Sequence, residues 1–295
     1  EQEVQDVRPL EEGGYQLTIQ KSTGIRRPIQ KLQAGKVILS GGVLGTVKLL
    51  LKCRKNGSLK EMSSKLGDFV RTNSEAIIGV KLKKTPREDF SKGVAISAGF
   101  HPDKDTHIET VRYGKGQTAM AFLTTFLPDR KIPLPGLIRW GISVIRSPLQ
   151  FIANLFPFDW ARKTIILLVM QPVDNYLKLN YKPRWWRMGG FSLNSQTSDG
   201  EKISSHIPIA SKTAETIMQK RKGTVMTTYM DALFDIPTTA HILGGACMGS
   251  DIESGVINEN FEMFNYPGMY VLDGSVVPSN LGVNPSLTIT ALAEY

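Results

Sequence analysis

The chain has 295 residues, 41% hydrophobic and 21% charged, which excludes disordered and fibrous classes and suits one large domain or two ordinary ones. The net charge of +9 is compatible with nucleic acid, anionic lipid or simple solubility, and does not choose among them. The chain has 2 cysteines, too few for a disulfide scaffold. Its apolar runs are shorter than the roughly 20 residues of a spanning helix. We expect a cytoplasmic or peripheral membrane protein rather than an integral one, and its compartment stays open.

The N-terminal part has the pattern of a hairpin followed by a doubly wound unit. Alternating apolar residues over 4–19, around Gly13 and Gly14, predict two strands. Residues 35–40 predict a short buried strand, and the glycine turn 41–45 leads into an amphipathic helix. A strand, a glycine turn and a helix in this order are typical of α/β proteins with a doubly wound sheet.

The middle of the chain predicts an antiparallel sheet with helices. Strand-like runs separated by Pro, Gly, Asp and Lys occur at residues 76–80, 94–98, 106–111, 165–169 and 176–181. An amphipathic helix is predicted over 205–221. The apolar and cationic stretch 126–160 has two open interpretations, a helix packed on the core or a lid that rests on a lipid surface.

The C-terminal part is dense in glycine and ends in a capped helix. A strand at 269–272 leads to Asp273 and Gly274, and Asn284 and Pro285 predict the cap and first turn of a helix. The unpaired N–H groups and the positive dipole end of such a helix favour an anion. A good cap with no ligand explains the same residues, so both interpretations stand.

Two side chains are candidates for proton transfer. His241 follows Thr239 and Ala240 and is the best general base in the sequence, or else a hydrogen-bonded core histidine. Glu109 shares a strand face with His107, so it is either a buried proton carrier or part of a solvated face. The histidine spacing does not predict a metal site, and the basic clusters at 81–84, 184–187 and 220–222 are too scattered to predict nucleic-acid binding.

Four segments in register resemble the glucose-methanol-choline (GMC) oxidoreductases, cholesterol oxidase type, in their C-terminal portion. They are residues 38–46 (ILSGGVLGT), 239–245 (TAHILGG), 270–275 (YVLDGS) and 282–292 (GVNPSLTITAL). The resemblance implies mixed α/β and α+β architecture: FAD-binding pieces at 1–74 and 238–295, and an antiparallel-sheet substrate domain at 75–237. The family's G-x-G-x-x-G region has no match in the chain, and we expect a fragment.

The same resemblance implies an FAD-dependent enzyme that oxidises the hydroxyl of a sterol or similar lipid-like alcohol, with O2 as acceptor. It makes His241, Asn284 and Glu109 catalytic, with Glu109 moving the proton in a double-bond isomerisation. It also implies a set of cofactor-binding residues: Val4, Gly41, Gly45, Asp273, Gly274, Asn284, Pro285 and Ser286. Two alternatives remain, a dehydrogenase using another acceptor and a non-catalytic module that binds lipid surfaces. Peripheral membrane contact is expected, and nucleic acid is not.

Overall fold

The computed structural model describes residues 1–183, 190–197 and 203–295, and they form a mixed α/β structure. The basic cluster 184–187 lies outside the described residues. In chain order the strands are β1 (Gln2–Pro9), β2 (Tyr15–Lys21), β3 (Ile29–Ala34), β4 (Val37–Leu39), β5 (Ala76–Leu82), β6 (Ile96–Phe100), β7 (His107–Val111), β8 (Thr124–Phe126), β9 (Thr164–Met170), β10 (Leu177–Pro183), β11 (Phe191–Thr197), β12 (Gly223–Thr228) and β13 (Met269–Val271). The α-helices are α1 (Gly42–Asn56), α2 (Gly136–Arg146), α3 (Pro148–Leu155), α4 (Trp160–Lys163), α5 (Pro208–Arg221), α6 (Tyr229–Phe234) and α7 (Ser286–Glu294).

The chain divides into two compact units. The first contains residues 1–72, 174–202 and 241–295, and the second contains residues 73–173 and 203–240. Two of these boundaries lie within three residues of the expected limits at 74 and 238. The hairpin β10–β11, expected in the substrate domain, belongs to the first unit, where β10 contacts α1 and Val70 bridges Leu177. The assignment of one unit to FAD and the other to substrate stays a prediction.

The described residues of the first unit form three small sheets around one core. The sheet β1-β2-β3 is antiparallel, β4 pairs in parallel with β13, and β10 pairs with β11. Helix α1 begins at the glycine turn and ends at Gly57, whose φ of 77° suits a residue without a Cβ. Its apolar face buries Val47 and Leu50 completely, because they are three residues apart on one side of the helix.

The second unit is a six-stranded antiparallel sheet in the order β6-β7-β9-β5-β12-β8. The β-branched residues of β5 and β9 suit a sheet buried by packing, and α5 covers it with Ala210 and Ala214. Small side chains on α5 allow the helix to approach the strands closely. Among the described residues, no helix is long and apolar enough to cross a lipid bilayer.

Ion pairs within the second unit hold part of the apolar and cationic stretch 126–160, which we call the amphipathic segment. Arg130 pairs with both Asp231 and Asp235, and Arg139 pairs with Asp235 at 2.5 Å. If the stretch 126–160 rests on lipid, as one of its two interpretations has it, its arginines would face the headgroups. Arg139 does not, because it is only 9% exposed and pairs with the half-buried Asp235.

Candidate functional site

Gly274 lies where three of the sequence motifs meet in the first unit. Its carbonyl accepts a hydrogen bond from the backbone N–H of Gly244 over 2.9 Å. A Cβ at Gly274 would lie 3.3 Å from the Cδ1 of Ile289 on α7 and 3.4 Å from the Cδ2 of Leu243. The segment that carries His241, the turn after β13 and the C-terminal helix are therefore in direct contact.

The segment around His241 is held by backbone bonds and by two glycines. Leu243 exchanges two backbone hydrogen bonds with Arg71, of 2.7 and 3.0 Å. Gly244 and Gly245 have φ values of 74° and 99°, in the region that favours glycine. A Cβ at Gly244 would lie 2.0 Å from the carbonyl oxygen of Phe69, so no other residue fits. The half-buried His241 is therefore anchored from its C-terminal side.

The two residues that precede His241 in the sequence are held by a buried carboxylate of the second unit. Glu75 is fully buried and accepts hydrogen bonds from the Thr239 hydroxyl at 2.7 Å and the Ala240 backbone N–H at 2.5 Å. Asn73 and Ser74, just before it, have φ values of 55° and 43°, which marks a tight backbone turn. The sequence reasoning missed Glu75, although Asn and Ser before an isolated acid gave a weak turn signal.

Helix α7 begins one residue later than expected. Asn284 was expected at the cap and Pro285 in the first turn, but the carbonyl of Pro285 accepts the first helical bond, from Ile289 N–H at 2.9 Å. Pro285 is therefore the N-cap residue, and no side chain caps the helix. The half-buried Asn284 lies just ahead of it, after the left-handed Gly282 at φ 69°. Ser286 and Leu287, in the first turn, are exposed.

The backbone of the glycine turn at the start of α1 is exposed. Gly41, Gly42 and Gly45 are exposed, and a Cβ at Gly42 or Gly45 would meet no atom within 4 Å. The Thr46 hydroxyl accepts from the Gly41 N–H at 3.1 Å and donates to the Asp273 carboxylate at 2.5 Å. The start of α1 is thus fixed to the segment that follows β13.

Asp273 is buried and forms internal hydrogen bonds. Besides Thr46, its carboxylate accepts from the backbone N–H of Ser275 at 2.8 Å and from the Ser275 hydroxyl at 2.6 Å. This pattern fits a carboxylate that shapes the turn at Gly274. Its direct contact with a cofactor stays a prediction, as it does for Val4, a half-buried residue of β1 opposite Ile19.

Glu109 lies in the second unit on β7. Its side chain is buried, with the residue 6% exposed, so the solvated-face interpretation is wrong. Its backbone is paired with Gly99 on one side and Leu168 on the other, and the His107 Nε2 lies 3.8 Å from its Oε1. The structure thus brings the segments of His241, Gly274 and Asn284 together in one unit, and carries Glu109 in the other.

Sequence reasoning also missed Arg71, a buried arginine beneath the segment that leads to Asn284. It donates to the carbonyls of Pro278 at 2.8 Å and Asn175 at 3.0 Å, and to the carboxylate of Asp174 at 2.5 Å. Asn280 donates to the same Asn175 carbonyl at 3.2 Å. These partners are more than a hundred residues from Arg71, so no local pattern pointed to them.

Comparison with known proteins confirms the resemblance to the GMC oxidoreductases. Residues 194–293 match the family model described as GMC oxidoreductase. A cholesterol oxidase of Acinetobacter baumannii is 38% identical over 300 residues, covering 100% of this chain and 53% of its own length. A cholesterol oxidase of Mycobacterium tuberculosis is 40% identical over 282 residues, covering 94% of this chain and 48% of its own.

The solved structures support the fold. An FAD-dependent oxidoreductase from Chaetomium thermophilum superposes with a TM-score of 0.52 at 15% identity, over 99% of this chain and 59% of that one. The chain spans about half the length of the curated relatives it matches. GMC oxidoreductases are FAD flavoproteins. The exposed first turn of α1, where a Cβ at Gly42 or Gly45 would meet no atom within 4 Å, leaves room for an anionic nucleotide cofactor at the positive end of the helix.

Proposed function

We propose that the full-length protein is an FAD-dependent oxidoreductase that converts the hydroxyl of a sterol, or of a similar bulky lipid-like alcohol, into a ketone. One observation carries the proposal: the segments of His241 and Asn284 converge on Gly274, in a chain 38% identical along its whole length to a cholesterol oxidase. FAD, when bound, accepts the hydride from the alcohol carbon. Oxygen as the final acceptor, with hydrogen peroxide as product, is part of the proposal.

In this proposal the chain's own residues orient the alcohol and move its protons. The imidazole of His241 accepts a hydrogen bond from the substrate hydroxyl and takes its proton, because histidine exchanges protons near neutral pH. The amide of Asn284 orients the same substrate region. The first turn of α7 and the backbone at Gly274, Pro285 and Ser286 hold the cofactor, with the positive helix end towards its negative charge.

Glu109 supplies the second proton transfer, which moves the double bond. Its side chain is buried, and its carboxylate oxygens can accept a proton. It takes a proton from one substrate carbon and delivers a proton to another.

The experiment uses the gene product in full, with its flavin absorbance recorded under anaerobic conditions. Bleaching by cholesterol but not by a short-chain alcohol is the expected result, and peroxide released on readmitting air would establish oxygen as acceptor. Bleaching without peroxide would favour a dehydrogenase with another acceptor. An intact flavin spectrum that no sterol bleaches would discard the sterol, and a protein without flavin would favour a non-catalytic lipid-binding module.

We also propose that the amphipathic segment of the second unit rests on an anionic lipid surface. Helices α2 and α3 and the turn after them expose large apolar side chains, among them Ile145 at 79%, Leu149 at 80% and Phe158 at 77%. Two cations nearby, Lys131 and Arg146, are also exposed. An apolar surface bordered by cations suits the boundary between headgroups and acyl chains.

Sedimentation with vesicles tests this contact. The wild-type protein is expected to sediment with vesicles that contain phosphatidylserine, and Ile145→Glu combined with Leu149→Glu should abolish it. Val94→Glu is the matched control, because Val94 is 68% exposed in the same unit outside this segment. Equal sedimentation of the double variant and the wild type would contradict the proposal.

A further inference from the structure

Three titratable side chains of the second unit form a series from solvent to the interior. His101 is exposed, the side chain of His107 is 16% exposed, and that of Glu109 is 7% exposed. The rings of His101 and His107 stack with centroids 4.6 Å apart and planes inclined by 17°. The Nε2 of His107 lies 3.8 Å from Oε1 of Glu109, beyond direct hydrogen-bond length but within ion-pair distance. A buried carboxylate thus lies beside a partly exposed imidazole.

A glycine on the neighbouring strand makes this arrangement possible. Gly99 is paired with Glu109 across β6 and β7, and a Cβ there would lie 2.8 Å from Nε2 of His107. Any larger residue would displace the imidazole from the carboxylate. The alternation of β7 keeps His107 and Glu109 on the same face.

The two strands that flank β7 carry no charged residue. Strand β6 has no titratable residue, and β9 presents Met170 opposite His107 and Leu168 opposite Glu109. The loop between β6 and β7 holds Asp103, Lys104 and Asp105, and all three are exposed. Within the part of the chain that the structure describes, the buried Nδ1 of His107 has no hydrogen-bond partner. His107 therefore has a nitrogen that is not committed to the fold.

We propose that His107 exchanges the proton of Glu109 with solvent during the isomerisation. This inference rests on the proposed function. The Glu109 carboxylate takes a proton from a substrate carbon and becomes a neutral acid. It passes this proton through a water to Nε2 of His107, which becomes an imidazolium and releases a proton to solvent. The reverse path reprotonates Glu109 with a solvent proton, which is delivered to the second carbon, so protons and charges balance.

Deuterium tests this path. The full-length protein turns over a Δ5 sterol in D2O, and mass spectrometry measures the deuterium in the conjugated enone product. Wild-type product is expected to carry one solvent deuterium in most molecules. His107→Phe keeps the ring stack but removes the exchangeable nitrogens. It should lower the deuterated fraction by about tenfold, which is less than the usual contribution of a proton-transfer group to a reaction rate. His107→Gln should give the same loss.

The controls separate this inference from the function on which it rests. His101→Phe preserves the stack and should leave deuteration unchanged, and finished enone incubated with enzyme corrects for later exchange. Flavin bleaching by the sterol in each variant reports intact folding and oxidation. Undiminished deuteration in either His107 variant, or wild-type product without deuterium, would overturn the path through His107. A wild-type protein that bleaches but forms no conjugated enone would overturn the role of Glu109, and the inference with it.

Discussion

The hydroxyl of Thr46 and the carboxylate of Asp273 form a 2.5 Å hydrogen bond between residues 227 positions apart in the chain. This bond joins the first turn of α1 to the end of β13, so it couples the glycine turn at Gly41 to the turn at Gly274. Together with the pairing of β4 and β13, this buried contact sets the relative position of two motifs that are far apart in the sequence.

Thr46→Val tests that contact. The substitution keeps the shape but leaves the buried Asp273 carboxylate without one donor, so we expect the free energy of unfolding to fall by about 1–3 kcal/mol. Urea unfolding measures the change. Ser40→Ala is the control, since the exposed Ser40 hydroxyl donates only to the Leu272 carbonyl and its loss should cost less. Equal effects for both variants would show that the contact has no special importance.

Arg71→Leu should loosen the segment that leads to Asn284. The guanidinium is 9% exposed and holds two carbonyls, so its removal should lower the free energy of unfolding by about 1.5–3 kcal/mol, as for bonds to charged groups. Its ion-pair partner Asp174 is 87% exposed, and Asp174→Asn should cost under about 1 kcal/mol because solvent screens that pair. A larger loss for Asp174→Asn than for Arg71→Leu in thermal unfolding would contradict this assignment.

His241→Ala should lower turnover of the full-length protein by a factor of about 100 to 10,000, the usual contribution of a general base. The flavin should stay bound, because the backbone of this segment is held through Leu243 and Gly244, not through the imidazole. Steady-state kinetics and the flavin-to-protein absorbance ratio measure the two effects. Loss of flavin together with activity would assign His241 to the fold instead.

Glu109→Gln should spare oxidation and abolish double-bond migration. The amide has nearly the size of the carboxylate but cannot accept the carbon-bound proton, so the unconjugated ketone should accumulate. Absorbance of the conjugated enone, followed beside flavin bleaching, separates the two steps. Persistent enone formation at the wild-type rate would exclude Glu109 as the proton carrier.

Lys81 predicts a pH dependence of stability in the second unit. Burial, with repulsion from Lys163 as a smaller cause, lowers the pKa of Lys81 from 10.5 to about 8. The unfolded chain therefore binds more protons between these values, and the penalty of burying the charge is present below pH 8 and disappears as the pH rises to 10.5.

Lys81→Met removes this titration. The stability of the wild type relative to the variant should rise from pH 8 to pH 10.5, and urea unfolding across this range measures the difference. The exposed Lys84→Met controls for the loss of one surface charge. A difference between wild type and Lys81→Met that is constant with pH would contradict the prediction.

Elements with a strong local pattern were predictable from the sequence. The β1–β2 hairpin, β4, α1 and the strands β5, β7 and β9 all occur where apolar periodicity and glycine turns put them. Strand β3 was missed because most of its residues are exposed, which leaves little apolar alternation to read. The membership of β10 and β11 in the first unit was also missed, since bridges such as Val70 to Leu177 depend on tertiary packing.

The residues of the candidate site were predictable only where the local sequence motif determines the backbone conformation. Gly244 is required by the close approach of the Phe69 carbonyl, and a required glycine is visible in the sequence. The start of α7 was misplaced by one residue, because Asn and Pro are both common around helix starts and only the hydrogen bond to Ile289 decides between them. Arg71 gave no local signal and Glu75 only a weak turn signal, since their roles come from partners far along the chain.

The pairing of β4 with β13 has a consequence for how the protein is made. Val37 and Met269 are partners in this parallel ladder, so the ribosome must add over two hundred residues before β4 can find its neighbour. The second unit is complete in sequence at residue 240, before β13 exists. During that interval the exposed edge of β4 is open to wrong pairing, and chaperone demand should concentrate on nascent chains that end between these two strands.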